Sequence, residues 1–120
     1  MSTIVADYPI ECGTSGIWTY EKMHSGVVKC WGSSTHSGMS SQKWTDGHFY
    51  FAVEPIDFRE GLFISKPTVL VTVEEDGANF FSAKRTSTST NTGALYAISL
   101  ASFDTNKSVT FNIEAIGRWK

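Results

Sequence analysis

Residues 17–33 read IWTYEKMHSGVVKCWGS, two runs of alternating apolar and polar residues around His24-Ser25-Gly26. A three-residue connector of this kind ends in a residue at positive φ, which glycine adopts without steric cost. The stretch therefore predicts a β-hairpin, and pairing its arms around the connector sets Glu21 opposite Lys29. Opposite charges facing each other across two strands support that register. Trp18, Tyr20 and Trp31 also fall within the hairpin, too many rings for an exposed ribbon, so another surface has to cover them.

Outward from the hairpin the chain keeps the same two-residue period. Residues 1–16 read as an entering arm, extended at Tyr8-Pro9-Ile10 because proline holds its predecessor out of the helical region, then a flexible turn over 11–16. The GTSG string in that turn lacks the strand–GxSxG–helix setting of a nucleophile elbow. SSTHSGMSS, residues 33–41, reads as a polar surface loop, closed by a tight Asp46-Gly47 turn after Trp44. His48 to Glu54 is then a strand with Phe49, Phe51 and Val53 on one face and His48, Tyr50 and Ala52 on the other, apolar or aromatic on both sides. Pro55 ends it, and an irregular crossing anchored by Phe58, Leu62 and Phe63 follows.

Thr68 to Glu74 is the clearest strand, with Val69, Val71 and Val73 on one face. Glu75-Asp76-Gly77 turns the chain, Asn79 to Thr86 runs back, and STSTNTG is a loop tip. Ala94 to Ala101 follows, with Tyr96, Ile98 and Leu100 on one face. A turn at residues 104–107 leads to the last strand, where Val109, Phe111, Ile113 and Ala115 alternate with polar residues. Apolar residues nowhere recur at helical spacing over ten positions. Seven to eight short strands separated by turn signals predict an all-β, antiparallel β-sandwich, jelly-roll-like, as a single domain over residues 17–120.

Composition narrows the function. Charged residues are 18% of the 120, below the roughly 25% usual for globular domains. Aromatics reach 13%, and the formal net charge is −2. With no Lys/Arg cluster, nucleic acid is excluded as a partner. No apolar run approaches the ~20 residues of a membrane span, so no membrane insertion is expected. The first residues lack the basic and apolar regions of a signal peptide. Cys12 and Cys30 fit no metal spacing and no CxxC motif, and without an export signal they read as two separate reduced thiols.

Catalytic and metal chemistry find no arrangement of residues to carry them. His24, His36 and His48 share no metal-ligand spacing, and no cofactor is implied. Glu74, Glu75 and Asp76, like Asp57 and Glu60, read as solvated loop acids, and His36 as a solvated loop histidine. A small esterase or glycan hydrolase would draw on His36, His48, Asp46 and Asp57, which form no recognisable constellation. The aromatics are the surplus. Trp44, His48, Tyr50, Trp18 and Tyr20 are the candidate ligand-binding residues, because sugar rings stack on exposed Trp and Tyr while polar neighbours bond the hydroxyls. On these grounds alone, a monomeric carbohydrate-binding module is one reading.

A family likeness gives another. DYPIECGTSGIWTYEKMHSGVVKCWG resembles the segment opening the C-terminal domain of tail-fibre and minor structural (receptor-binding) proteins of phages and prophages of Gram-positive bacteria. Gly13 to Tyr20, Ser25-Gly26 and Cys30-Trp31-Gly32 carry it, and the ending Ala115-Ile116-Gly117-Arg118-Trp119-Lys120 is similar to the tail closing many such chains. Met23 stands where a tryptophan is usual and Glu21 where a basic residue is usual, and Cys12 is a departure. The resemblance implies a non-enzymatic virion component, made in the bacterial cytoplasm, that forms a homotrimer at a fibre or baseplate tip. Its partner would be a host surface glycan or protein receptor. Trimerisation would cover rings left over once the monomer core is filled. Trp119, by burial, and Arg118, by pairing with a carboxylate, would lock the last strand.

Overall fold

The computed structural model describes residues 6–75, 80–103 and 107–120. Among them there is no helix, and nine strands form two antiparallel sheets. One sheet has the order β1 (Pro9–Ser15), β2 (Trp18–Met23), β3 (Val27–Ser37), β9 (Ser108–Arg118), β6 (Thr68–Glu74). The other has the order β4 (Gln42–Lys43), β5 (Phe49–Val53), β8 (Leu95–Ser99), β7 (Phe80–Lys84). The chain crosses between sheets at β3–β4, β5–β6, β6–β7 and β8–β9, the alternation expected of a sandwich.

The β2–β3 hairpin has the expected register, with Glu21 opposite Lys29 and Gly26 at φ 103°. The Gly26 N–H donates to the Met23 carbonyl at 3.0 Å, and the Trp119 N–H donates to the Gly26 carbonyl at 2.9 Å, so the chain's end is tied to the hairpin tip. The Trp119 indole N–H also reaches the Met23 carbonyl at 2.8 Å, and the ring is half-buried. Among the described residues Arg118 pairs with no side-chain carboxylate. Its guanidinium donates to the Ser25 carbonyl and to a main-chain oxygen of Lys120, because it lies at the turn, where main-chain oxygens are what the tip offers.

Strands β3 and β9 are eleven residues each and pair along their whole length, from Val27–Arg118 to Ser37–Ser108. Strands of that length span about 36 Å. They give the molecule a long axis, with extents of 60 × 27 × 24 Å. The radius of gyration is 17.1 Å, against about 14 Å for a compact chain of this size. The chain forms a rod.

The core lies between the sheets. Trp18, Tyr20, Val28, Cys30, Phe111, Ile113 and Ala115 point inward from the five-stranded sheet, and Phe51, Leu95 and Ala97 from the four-stranded one. Phe111 is fully buried and meets Phe51 edge-on at 6.3 Å; burying such a side chain contributes roughly 1.5–3 kcal/mol. The crossing between β5 and β6 closes one end with buried Phe58, Leu62 and Phe63, Trp18 lying 5.3 Å from Phe58. Residues 91–92 are joined to that crossing: Asp57 bridges Asn91, and the Thr92 N–H donates to the Ile56 carbonyl at 3.0 Å.

Two local readings differ from the structure. Residues 11–15 are not a turn but part of β1, which pairs with β2 and is pinned where Glu11 accepts from the Tyr20 hydroxyl and from Arg59, both at 3.0 Å. Ser33 to Ser37 are not loop but the second half of β3. Their outward hydroxyls find partners on β9, Ser33 with Asn112 at 2.7 Å and Thr35 with Thr110 at 2.9 Å, so polarity here marks a solvated sheet face. His36 accordingly faces inward, edge-on to Phe111 at 5.9 Å and 2.7 Å from the Ser34 hydroxyl, and its burial lowers its pKa. In β8, Tyr96 and Ile98 share one face as expected, and it is the outer one: the core face is Leu95, Ala97 and Ser99, and Leu100 just past the strand is 69% exposed. The turns expected at 75–77 and 104–107, and the start of the strand at Asn79, fall wholly or partly outside the described residues.

Cys12 is exposed, Cys30 is buried, and both thiols are free. Burial pushes the Cys30 thiol up to about 12.

Candidate functional site

The alternation that sends Phe51, Leu95 and Ala97 inward turns Tyr50, Ala52, Tyr96 and Ile98 to the outer face of the four-stranded sheet. The β5–β8 register sets Tyr50 opposite Ile98 and Ala52 opposite Tyr96, and β7 adds Ala83 on Tyr96's other side. Two alanines thus flank Tyr96, leaving its ring free to tilt toward Tyr50, 5.8 Å away at 50°.

Trp44 completes the cluster from outside the sheet. The Asp46-Gly47 turn folds back on itself: the Trp44 N–H donates to the His48 carbonyl at 2.8 Å and the Gly47 N–H to the Trp44 carbonyl at 3.1 Å, with Gly47 at φ 96°. That turn lays the indole on Tyr50, with centroids 4.2 Å apart and planes 19° apart, and 6.0 Å from Tyr96. Such ring pairs contribute about 0.5–1.5 kcal/mol beyond their buried area. Asp46 closes the turn by accepting the His48 N–H at 2.9 Å, and its carboxylate lies 3.1 Å from His48 Nδ1. The backbone hydrogen bond from His48, aided by the imidazole, lowers the Asp46 pKa.

The polar rim is also specific. The Tyr50 hydroxyl donates to Gln42 Oε1 at 3.2 Å, and Arg85 Nε donates to the Tyr96 hydroxyl at 2.9 Å. Three half-buried rings in mutual contact, edged by an amide and a guanidinium, form a platform suited to the apolar face of a sugar ring, with donors at hand for its hydroxyls.

Of the five candidate residues, the structure brings together Trp44, His48 and Tyr50. Trp18 and Tyr20 go to the core. Trp18 is 2% exposed and gives its indole N–H to the Asp57 carbonyl at 2.7 Å. Tyr20 is 8% exposed, lies under the Arg59 guanidinium at 4.9 Å, and is hydrogen-bonded to Glu11, which raises its pKa. Neither ring has a face to offer a ligand, because both sit on the inward side of β2. Tyr96 and Arg85 are the platform residues that the sequence reading passed over. Arg85 follows β7 and Tyr96 lies on β8, eleven positions away, and only the strand pairing brings them into contact.

The outer face of the five-stranded sheet is of another kind. Trp31, Glu114 and Leu70 lie in one row across β3, β9 and β6, beside a groove of about 390 Å³ that also includes Ser33, Thr72 and Asn112. Trp31, Leu70 and Ile116 are all at least 40% exposed. Of the residues that an enzyme would need, His48 and Asp46 are paired in the platform turn, while His36 is held between the sheets and Asp57 lies in the crossing.

No protein-family model and no curated protein sequence matches the chain. Solved structures do match in fold. The N-truncated R1-type pyocin tail fibre aligns over 91% of this chain and 87% of its own, with a TM-score of 0.57 and 15% identity. A P. aeruginosa R1 pyocin fibre comprising its C-terminal residues aligns over 91% of this chain, 28% of its own, with a TM-score of 0.54 and 14% identity. The tailspike of Pseudomonas phage phi297 aligns over 77% of this chain, with a TM-score of 0.55 and 13% identity, and there this chain spans only 16% of the longer one. The fold is thus similar to that of phage and pyocin tail fibres and tailspikes. The hosts differ from those implied by the sequence likeness: these are Pseudomonas particles, and nothing among them points to a Gram-positive bacterium.

Proposed function

We propose that this chain is a tail-fibre domain of a phage or phage-tail-like particle, carried on the virion, that assembles as a homotrimer and contacts a glycan of the host surface without enzymatic action. The observation that carries the reading is the fold likeness to pyocin tail fibres over 91% of the chain. The rod shape, 60 Å long, suits a fibre component. The two outer faces suit a division of labour. The exposed Trp31, Leu70 and Ile116 favour burial against a second copy, and the Trp44–Tyr50–Tyr96 platform favours a sugar.

The alternative is a monomeric carbohydrate-binding module, favoured by the number of rings the protomer core already holds: Trp18, Tyr20, Phe51, Phe58, Phe63 and Phe111. Light scattering at micromolar concentration separates the two. A mass of three chains is expected, and a single-chain mass would favour the monomeric module.

A further inference from the structure

The hydrogen-bonding capacity left over at the platform has a sign, and the sign identifies the ligand. Arg85 uses Nε on the Tyr96 hydroxyl, and the remaining four N–H groups of its fork have no protein partner among the described residues. Tyr96 accepts that bond and so keeps its own O–H to give. Gln42 accepts from Tyr50, which leaves its amide N–H₂ outward on an exposed side chain. Among the described residues the Trp44 indole N–H has no protein partner either. The one carboxylate within the platform turn, Asp46, is already occupied by the backbone and ring of His48. Glu54, one residue past β5 on the alternation of Tyr50 and Ala52, is exposed and forms no ion pair with Arg85.

The strongest free donor beside the three aromatic rings is therefore the Arg85 guanidinium, which no carboxylate among the described residues pairs. A neutral sugar offers hydroxyls, which are donors and acceptors alike. An anion-bearing sugar offers acceptors that a guanidinium fork grips with two parallel bonds. The ring geometry excludes the other occupant of an aromatic cluster, a quaternary ammonium in a cage. Trp44 and Tyr50 are stacked on each other at 4.2 Å, which closes the gap a cation would need.

Resting on the glycan reading of the previous subsection, we propose that the platform takes an acidic saccharide. Its pyranose ring lies against Trp44, Tyr50 and Tyr96, and its carboxylate or phosphate group is held by Arg85. The two sources of charge share one chemistry, and the test tells them apart.

Titration calorimetry of the whole chain with trigalacturonate, glucose 6-phosphate and neutral maltotriose tests the assignment. At least one acidic probe is expected to bind about tenfold or more tightly than maltotriose, and to weaken as salt is raised. The tighter acidic probe names the group, carboxylate or phosphate. Arg85→Gln should erase the acidic preference while leaving the melting temperature within a degree or two of the parent, and Arg85→Lys should restore only part of it. Equal binding of acidic and neutral probes, or an acidic preference that survives Arg85→Gln, overturns the proposal while leaving the glycan reading standing. Failure of all three probes to bind at millimolar concentration overturns it as well. The glycan reading itself falls only if no saccharide responds to loss of Trp44.

Discussion

Trp18 and Trp44 are the same residue put to opposite uses. Trp18 opens β2 on the inward side of the five-stranded sheet, stacks toward Phe58, and spends its N–H on a backbone carbonyl. Trp44 sits in a turn outside the four-stranded sheet, half-buried on two tyrosines, with its N–H left over. Aromatic content alone did not separate them. The distinction lies in strand parity and in what the opposite sheet supplies: a closed set of core partners for one ring, a rim of polar side chains for the other. A ring with all its contacts met is structural, whereas one with an open edge and free donors is available to a ligand.

The contrast can be broken most forcefully at the inner ring. Trp18→Ala should cost about 3–5 kcal/mol in urea unfolding, by lost burial and a cavity beside Phe58. Trp44→Ala should cost only the stacking, about 0.5–1.5 kcal/mol. Equal losses would mean that Trp44 is as much core as Trp18. The close backbone approach beside Trp18 comes next. A Cβ at Gly32 would run into the Ile17 carbonyl oxygen, so Gly32→Ala should cost about 1–3 kcal/mol by forcing the residue that leads into β2 away from β3. The same change at Gly38, where nothing lies within 4 Å but φ is +73°, should cost about 1 kcal/mol.

The cysteines give an inside–outside comparison of their own. Cys12 should react with a thiol reagent in the native protein, and Cys30 only after denaturant is added, since its thiol is buried with a pKa of about 12. Two reactive thiols without denaturant would mean that β3 opens locally. The smallest effect belongs to Glu11. Its pKa is lowered below 4.5, chiefly by the Tyr20 hydroxyl, so its contribution is full above that pH and is lost as pH falls through the depressed native value. Glu11→Gln should flatten the acid side of a plot of melting temperature against pH by lowering the melting temperature slightly at neutrality while barely changing it at low pH.

Much of the fold was legible because alternation and turn chemistry are local. The Glu21–Lys29 register, the inward Val109-Phe111-Ile113-Ala115 face of β9 and the Asp46-Gly47 turn all follow from neighbours in sequence. What misled was polarity. Ser33, Thr35 and Ser37 look like loop residues until β9 is seen to supply Asn112 and Thr110 opposite the first two. In β8, Tyr96 and Ile98 outweigh Leu95 and Ala97 in bulk, yet the smaller pair faces in, because Phe51 fills the space from the next strand. The platform was half legible for the same reason. Trp44, His48 and Tyr50 lie within seven positions of one another, whereas Tyr96 and Arg85 join them only through strand pairing across forty or so intervening residues.

The division between inner and outer rings is tested most directly by glycan-array binding of the parent chain beside Trp44→Ala and Tyr50→Ala, each checked for an unchanged far-ultraviolet spectrum. The parent should bind a defined subset of glycans, and both folded variants should lose that binding. Glycan binding that survives in both would contradict the account, and would place the sugar on another face of the rod.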